Sequence, residues 1–239
     1  MKARIAKICL SAVAGMLALA SANAVPIQNF VASGGTGSGA YNAEADFTVG
    51  NGTVTLVLKN LQQDPISAAQ LISGISFSIS GLTGNAVLSS GSGNIATVNA
   101  NGTYTPPASP TSPLPRWHVS GTSGTTVSMT ALGGGQPSDL IIGPDSLGGF
   151  NGAGTYDKQN SSIGNFQPSI LGSAAFVFTL THVTADSVIT GVTFAFGTQP
   201  DFTATGHTVK VPDGGFTMAM LGSGLVGLGL VQRRFGKKK

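Results

Sequence analysis

The sequence predicts an all-β fold over residues 25–210, an antiparallel β-sandwich of jelly-roll-like type. Three observations predict it. Apolar residues recur at every second position in several short runs. Glycine, 35 of the 239 residues, together with asparagine and serine, punctuates those runs. No stretch of the region keeps helical spacing for more than a turn or two.

Phe47–Val49 and Thr53–Leu58 flank Gly50-Asn51-Gly52, an Asn-Gly signal for a tight hairpin. Residues 65–71 allow one short helical piece. Ile75 to Ser80 alternates strictly, which puts Ile75, Phe77 and Ile79 on one face. Residues 105–115 hold five of the 12 prolines and predict an extended surface loop. The loop is either an excursion from one sandwich or a divide between two small domains; residues 25–104 alone offer little core, which favours the first. Phe176–Leu180 and Val188–Phe196 supply two more strands.

Charge is scarce and partitioned. Only 9% of the residues are charged, against roughly 25% in an average domain. A pI near 9.2 invites a nucleic-acid reading. The positive charge, however, sits at the two ends: Lys2, Arg4 and Lys7, then Arg233, Arg234, Lys237, Lys238 and Lys239. Between Val25 and Lys210 there are four basic side chains against eight acidic ones, so no nucleic-acid partner is expected.

Residues 1–24 read as a signal peptide: a basic start, an apolar run from Ile8 to Ala20, and small residues at Ala22 and Ala24 for signal peptidase. Cleavage after Ala24 removes Cys9, the only cysteine, leaving neither a disulfide nor a thiolate. At the other end, Gly214 to Gln232 gives 19 uncharged residues. As a helix they span ~28 Å, close to the hydrocarbon thickness of a bilayer. The basic tail 233–239 holds that end in the cytoplasm. Both signals predict the same topology, with the middle of the chain outside and a single pass through the inner membrane. Gly222 to Gly227 fits G-x-G-x-x-G, but no strand precedes it and no acid follows, so no dinucleotide site is expected.

Val211-Pro212-Asp213-Gly214-Gly215, then one apolar span, then Arg233-Arg234, resembles the PEP-CTERM sorting signal in its V-P-D form. The resemblance covers residues 211–239 and departs from the commonest pattern at Asp213, in place of Glu, and Gly214, in place of a second Pro. Residues 174–181 and 187–197 are similar, more loosely, to ectodomain segments of that family. The resemblance implies recognition of Val211, Pro212 and Asp213 by exosortase, a multi-pass membrane enzyme. It implies cleavage near the motif, delivery to the cell surface or matrix, and a structural or adhesive link to exopolysaccharide. Simple chemistry agrees: Pro212 disfavours helix at Val211, and Gly214 and Gly215 loosen the strip before the span.

Catalytic sets are thin, and no enzyme is expected. His118, His182 and His207 have no G-x-S-x-G partner in the chain. Glu44 and Asp46 share a strand face, a pattern a glycosidase shares with any solvated face. Trp117, Tyr104 and Tyr156 are the candidates for a carbohydrate-binding groove, with Trp117 better suited to a core or rim position. No cofactor is expected; Asp139, Asp145, Asn151, Asp157 and Asn160 lie in a glycine-rich stretch that would suit Ca²⁺, without an EF-hand or nonapeptide pattern.

Overall fold

The computed structural model describes residues 26–150, 156, 161–199 and 202–209. The segments expected to be a signal peptide, a sorting motif, an apolar span and a basic tail lie outside the described residues, as do Asn151, Asp157 and Asn160.

Twelve strands run through the described residues: β1 (Ile27–Thr36), β2 (Gly39–Gly50), β3 (Thr53–Asn60), β4 (Ile72–Ile79), β5 (Ala86–Ala96), β6 (His118–Ser123), β7 (Thr126–Thr130), β8 (Leu140–Ile142), β9 (Ser169–Leu180), β10 (Ile189–Phe196), β11 (Phe202–Thr205) and β12 (His207–Thr208). The all-β expectation is met. Among the described residues, helix is confined to a 3₁₀ turn at Ala68–Gln70, within the stretch expected to be helical, and to α1 (Ser161–Asn165). Ser67 caps the 3₁₀ turn, its side chain accepting from the Ala69 N–H. Among the described residues no helix is long and apolar enough to cross a membrane.

One half of the sheet runs β12-β1-β2-β3-β9-β5 and the other β11-β10-β4-β7-β6. Strand β8 joins them, pairing antiparallel with β4 through Ile72 and Ile141 and parallel with β9 from Leu140 to Ile142. That parallel pair makes the sheet mixed rather than purely antiparallel. The halves face one another through aromatic rings: Phe47 lies 5.0 Å from Phe77, and Phe77 lies 5.4 Å from Phe178. The alternating pattern drives this. Ala43, Ala45, Phe47 and Val49 of β2, Val54, Leu56 and Leu58 of β3, and Ile75, Phe77 and Ile79 of β4 are all buried. Each large side chain removed from water contributes about 1.5–3 kcal/mol.

The chain crosses from one half to the other at Gly206, between β11 and β12. A Cβ there would stand 3.0 Å from the Phe194 ring and 3.4 Å from Phe30 Cβ, so a side chain at the crossover would press on its neighbours. The strands before and after residues 105–115 are hydrogen-bonded to each other, β4 to β7 and β5 to β9, so that loop divides no domain among the described residues. As expected it is a surface loop, exposed at most of its residues, and it is tied down at two points. Thr111 exchanges two backbone hydrogen bonds with Gly93, of 2.8 and 3.1 Å, and Leu114 is buried.

The two ends of the molecule differ in construction. At the hairpin end lie the turns 51–52, 80–85, 124–125 and 181–188; at the loop end lie the tight turn 37–38 and the segments 61–71, 97–117, 131–139, 143–150 and 161–168. Strand β1 starts at the hairpin end. The Val209 N–H donates to Asn29 O at 3.1 Å, so the chain also leaves β12 toward that end.

Candidate functional site

The three aromatic residues expected to line a groove are buried, which corrects that expectation. Trp117 is 3% exposed, Tyr104 4% and Tyr156 2%. Trp117 Nε1 donates to Asp139 O at 2.8 Å and its ring lies 4.9 Å from Phe176, so it anchors β6 to the core, the position it was better suited to than a groove. The two tyrosines do meet, at 5.6 Å, but in the interior of the loop end. Their hydroxyls point inward because buried donors need acceptors: Tyr104 Oη donates to Asp145 Oδ2 at 2.7 Å, and Tyr156 Oη to Gly143 O at 2.9 Å. Burial, with Tyr104 and Asp145 adding to it, pushes the Tyr156 pKa up, so this hydroxyl is a fixed donor.

Asp145 is fully buried and organises its loop. Its Oδ1 accepts from the Leu147 and Gly149 N–H groups at 2.9 and 3.3 Å, while Oδ2 takes the Tyr104 hydroxyl. Both oxygens are engaged with protein donors, and this carboxylate therefore serves as a turn staple in the described structure. Asp139, also buried, adopts φ 59°, a left-handed conformation that aspartate tolerates. Burial raises its pKa, partly offset by the Arg116 N–H and guanidinium charge. Its Oδ2 has no hydrogen-bond partner among the described residues. The described residues contain no group of three His, Cys, Asp or Glu side chains able to hold a metal.

The remaining titratable groups are separated. His118 Nδ1 stands 2.9 Å from Arg116 O, His182 Nδ1 2.6 Å from Thr83 Oγ1, and His207 is exposed on β12. The His182–Thr83 pair sits on exposed turns. Glu44 and Asp46 share the outer face of β2 as the alternation required, and both are held by Lys59, at 2.5 and 2.6 Å. Burial by itself raises the Asp46 pKa; hydrogen bonds from Lys59 and Asn29 and the Lys59 charge outweigh it, leaving the carboxyl below its ordinary value. Lys59 is correspondingly raised: burial opposes its charge, and the two carboxylates more than compensate. An acid that stays ionised beside a fixed ammonium does not supply a proton near neutral pH.

What remains is a surface. Ser76 and Ser78 of β4, Thr126, Ser128 and Thr130 of β7, and Thr193 of β10 project to the side opposite the buried residues of those strands. The Ser76 and Ser128 hydroxyls bond at 3.1 Å, and Ser78 to Thr126 at 2.8 Å, forming cross-strand ladders. Gly74 and Ala195 lie side by side in the next row, and their small size leaves a groove of about 340 Å³ flanked by Thr193, Thr203, Ser120 and Leu132. No charged residue lines it. The polar half of the alternation at residues 75–80 is the sequence signal for this face.

No protein-family model matches the chain, and no curated protein matches it.

Proposed function

We propose that the chain is an exported, non-catalytic surface or matrix protein, held briefly at the inner membrane by its tail and then processed by exosortase. Signal peptidase would remove residues 1–24 and free the β-rich ectodomain, which we read as a jelly-roll-like sandwich. Val211, Pro212 and Asp213 would be the recognition strip, Gly214 and Gly215 its flexible continuation, and Arg233, Arg234, Lys237, Lys238 and Lys239 the cytoplasmic anchor. The role is structural or adhesive, within exopolysaccharide, and uses no cofactor.

One observation carries the reading: a proline-bearing strip, an apolar run of bilayer length and a basic end follow one another without interruption at residues 211–239. The scattered histidines and the pairing of Glu44 and Asp46 with Lys59 are in keeping with a non-catalytic domain.

A second reading, a carbohydrate-binding module, is supported by the uncharged groove over Gly74 and Ala195 rather than by the buried aromatic residues. Hydroxyl groups and methyl-bearing threonines suit a neutral polyhydroxylated chain.

The test is charge reversal. With Arg233, Arg234 and the three terminal lysines replaced by glutamate, retention at the inner membrane and delivery to the surface should both fall, as read by fractionation. Unchanged localisation would contradict the tail assignment.

A further inference from the structure

Strand β1 pairs along its whole length with β2, but only part of its other edge is covered. There β12 sets Thr208 opposite Phe30 and His207 opposite Val31, and the Val209 N–H carries the ladder on to Asn29 O at 3.1 Å. Among the described residues the ladder stops at that bond, although β1 runs two residues farther, to Ile27. In an antiparallel strand the backbone groups turn toward one neighbour at every second residue. Because Asn29 faces β12, Ile27 presents its N–H and C=O on the same edge, and no described backbone group meets them there. The Ile27 side chain is uncovered as well, 59% exposed on the outer face that carries Asn29 and Asp46.

The chain's own continuation fits this vacant edge. Carried on in the same register, Lys210 falls opposite Gln28 and Val211 opposite Ile27. The residue types match that parity. Val211, like Val209, would turn its N–H and C=O toward β1, and its β-branched side chain would lie beside Ile27, a cross-strand pair that favours sheet. Pro212 falls on the opposite parity, where a backbone N–H would face away from the sheet, so the donor it lacks is not needed. The same proline biases Val211 toward extended backbone.

We infer that the free edge of β1 at Ile27 and Gln28 is a docking strip for Lys210 and Val211, so that the sorting motif begins as a strand of the folded domain. The inference rests on residues 211–213 being the recognition strip. Val211 is held by Ile27, Pro212 closes the ladder, and Asp213, Gly214 and Gly215 form the stretch between the sheet and the apolar run. A membrane enzyme then meets the motif at a set distance from the edge of β1. Presentation of Val211 is thereby coupled to the folding of β1, and a chain in which β1 has not formed offers the motif without its seat.

The experiment uses the full chain in detergent micelles, with Cys9→Ser so that the introduced thiols are unique. One variant carries I27C and V211C, the other I27C and K210C. Both pairs hang on nearly the same length of chain from Val209, but in the docked strand positions 27 and 211 share a face while 210 points to the opposite one. Hydrogen-bonded antiparallel neighbours stand about 5.5 Å apart at Cα, within the range of a disulfide, whereas Cβ vectors that point apart cannot be bridged. Oxidised glutathione is added and the loss of thiols is followed by intact mass. The expected result is closure several-fold faster for the 27–211 pair than for the 27–210 pair. Equal rates overturn the docking strip, whether or not the chain is sorted. Closure needs no processing, so selective closure in a chain that is never sorted supports the docking strip and refutes the sorting reading alone.

Discussion

The hairpin end and the loop end solve the same problem, turning a strand back into the sheet, by different means. At the hairpin end the solution is local. Asn51-Gly52 turns β2 into β3 because Gly52 accepts φ 68°, with Val49 paired to Val54 across the turn. At the loop end, apart from the turn at residues 37–38 that Thr36 closes locally, the solution is distant. Asn60 donates to Gln70 O and to Ile141 O at 2.9 and 2.8 Å; Gln70 accepts the Ile66 and Ser67 N–H groups and donates to Ala40 O. Of the buried polar residues, only Ser187 belongs to the hairpin end. Long connections bury backbone groups that must find partners, and side-chain amides and carboxylates supply them. The hairpin end depends on turn chemistry, the loop end on single buried side chains.

That contrast can be broken or sharpened by substitution. The largest effect is expected for Gly143→Ala. Its Cβ would fall 2.0 Å from Gln62 O, a backbone atom, so two loops must separate; we expect a loss of about 3 kcal/mol by urea unfolding. Asp145→Ala should follow at about 2–3 kcal/mol, because the Tyr104 hydroxyl and two N–H groups lose a buried acceptor. At the hairpin end, Gly52→Ala meets its nearest atom at 3.7 Å and faces only the strain of positive φ, about 1–2 kcal/mol. Equal losses at Gly52 and Gly143 would erase the distinction between the two ends.

The smallest effects concern pH, and two aspartates should respond with opposite signs. Asp139 has a raised pKa, so its carboxyl costs stability once pH exceeds its unfolded value near 3.8. Asp139→Asn should therefore raise the unfolding midpoint at pH 7, and the gain should fade as pH falls below about 4. Asp46 has a lowered pKa; its contribution is present above the unfolded value of 3.8 and is lost as pH falls through the folded one. It is part-exposed, so Asp46→Asn should cost no more than about 1 kcal/mol near neutrality. A pH series of unfolding midpoints for the two variants checks both signs.

The sequence was informative where structure is local. The Asn-Gly turn, the alternation at residues 75–80 and the Phe-rich runs of β9 and β10 all carry their signal within a few residues. Strand β1, reading Ile-Gln-Asn-Phe-Val-Ala-Ser-Gly-Gly-Thr, gave no such signal: only Phe30 and Ala32 enter the core, and its ladder to β2 is what makes it a strand. Strand β5 is likewise weak, with Ser89-Ser90-Gly91 at its centre and irregular register against β9. Glycine serves packing there, since a Cβ at Gly93 would meet Ile170 Cγ2 at 2.8 Å. The misplacement of Tyr104 and Tyr156 has the same origin, whereas Trp117 occupies the core position it was better suited to. Aromatic residues in a proline- and glycine-rich stretch read as exposed, yet Asp145 and Gly143 O, from other loops, draw their polar atoms inside.

The central claim is that residues 211–239 are a removable membrane address on an exported β-domain. Intact mass of the protein recovered from the cell surface tests it most directly. The account predicts a chain that starts near Val25 and ends before Phe216. A surface form that still carries the apolar run and the terminal lysines would contradict it.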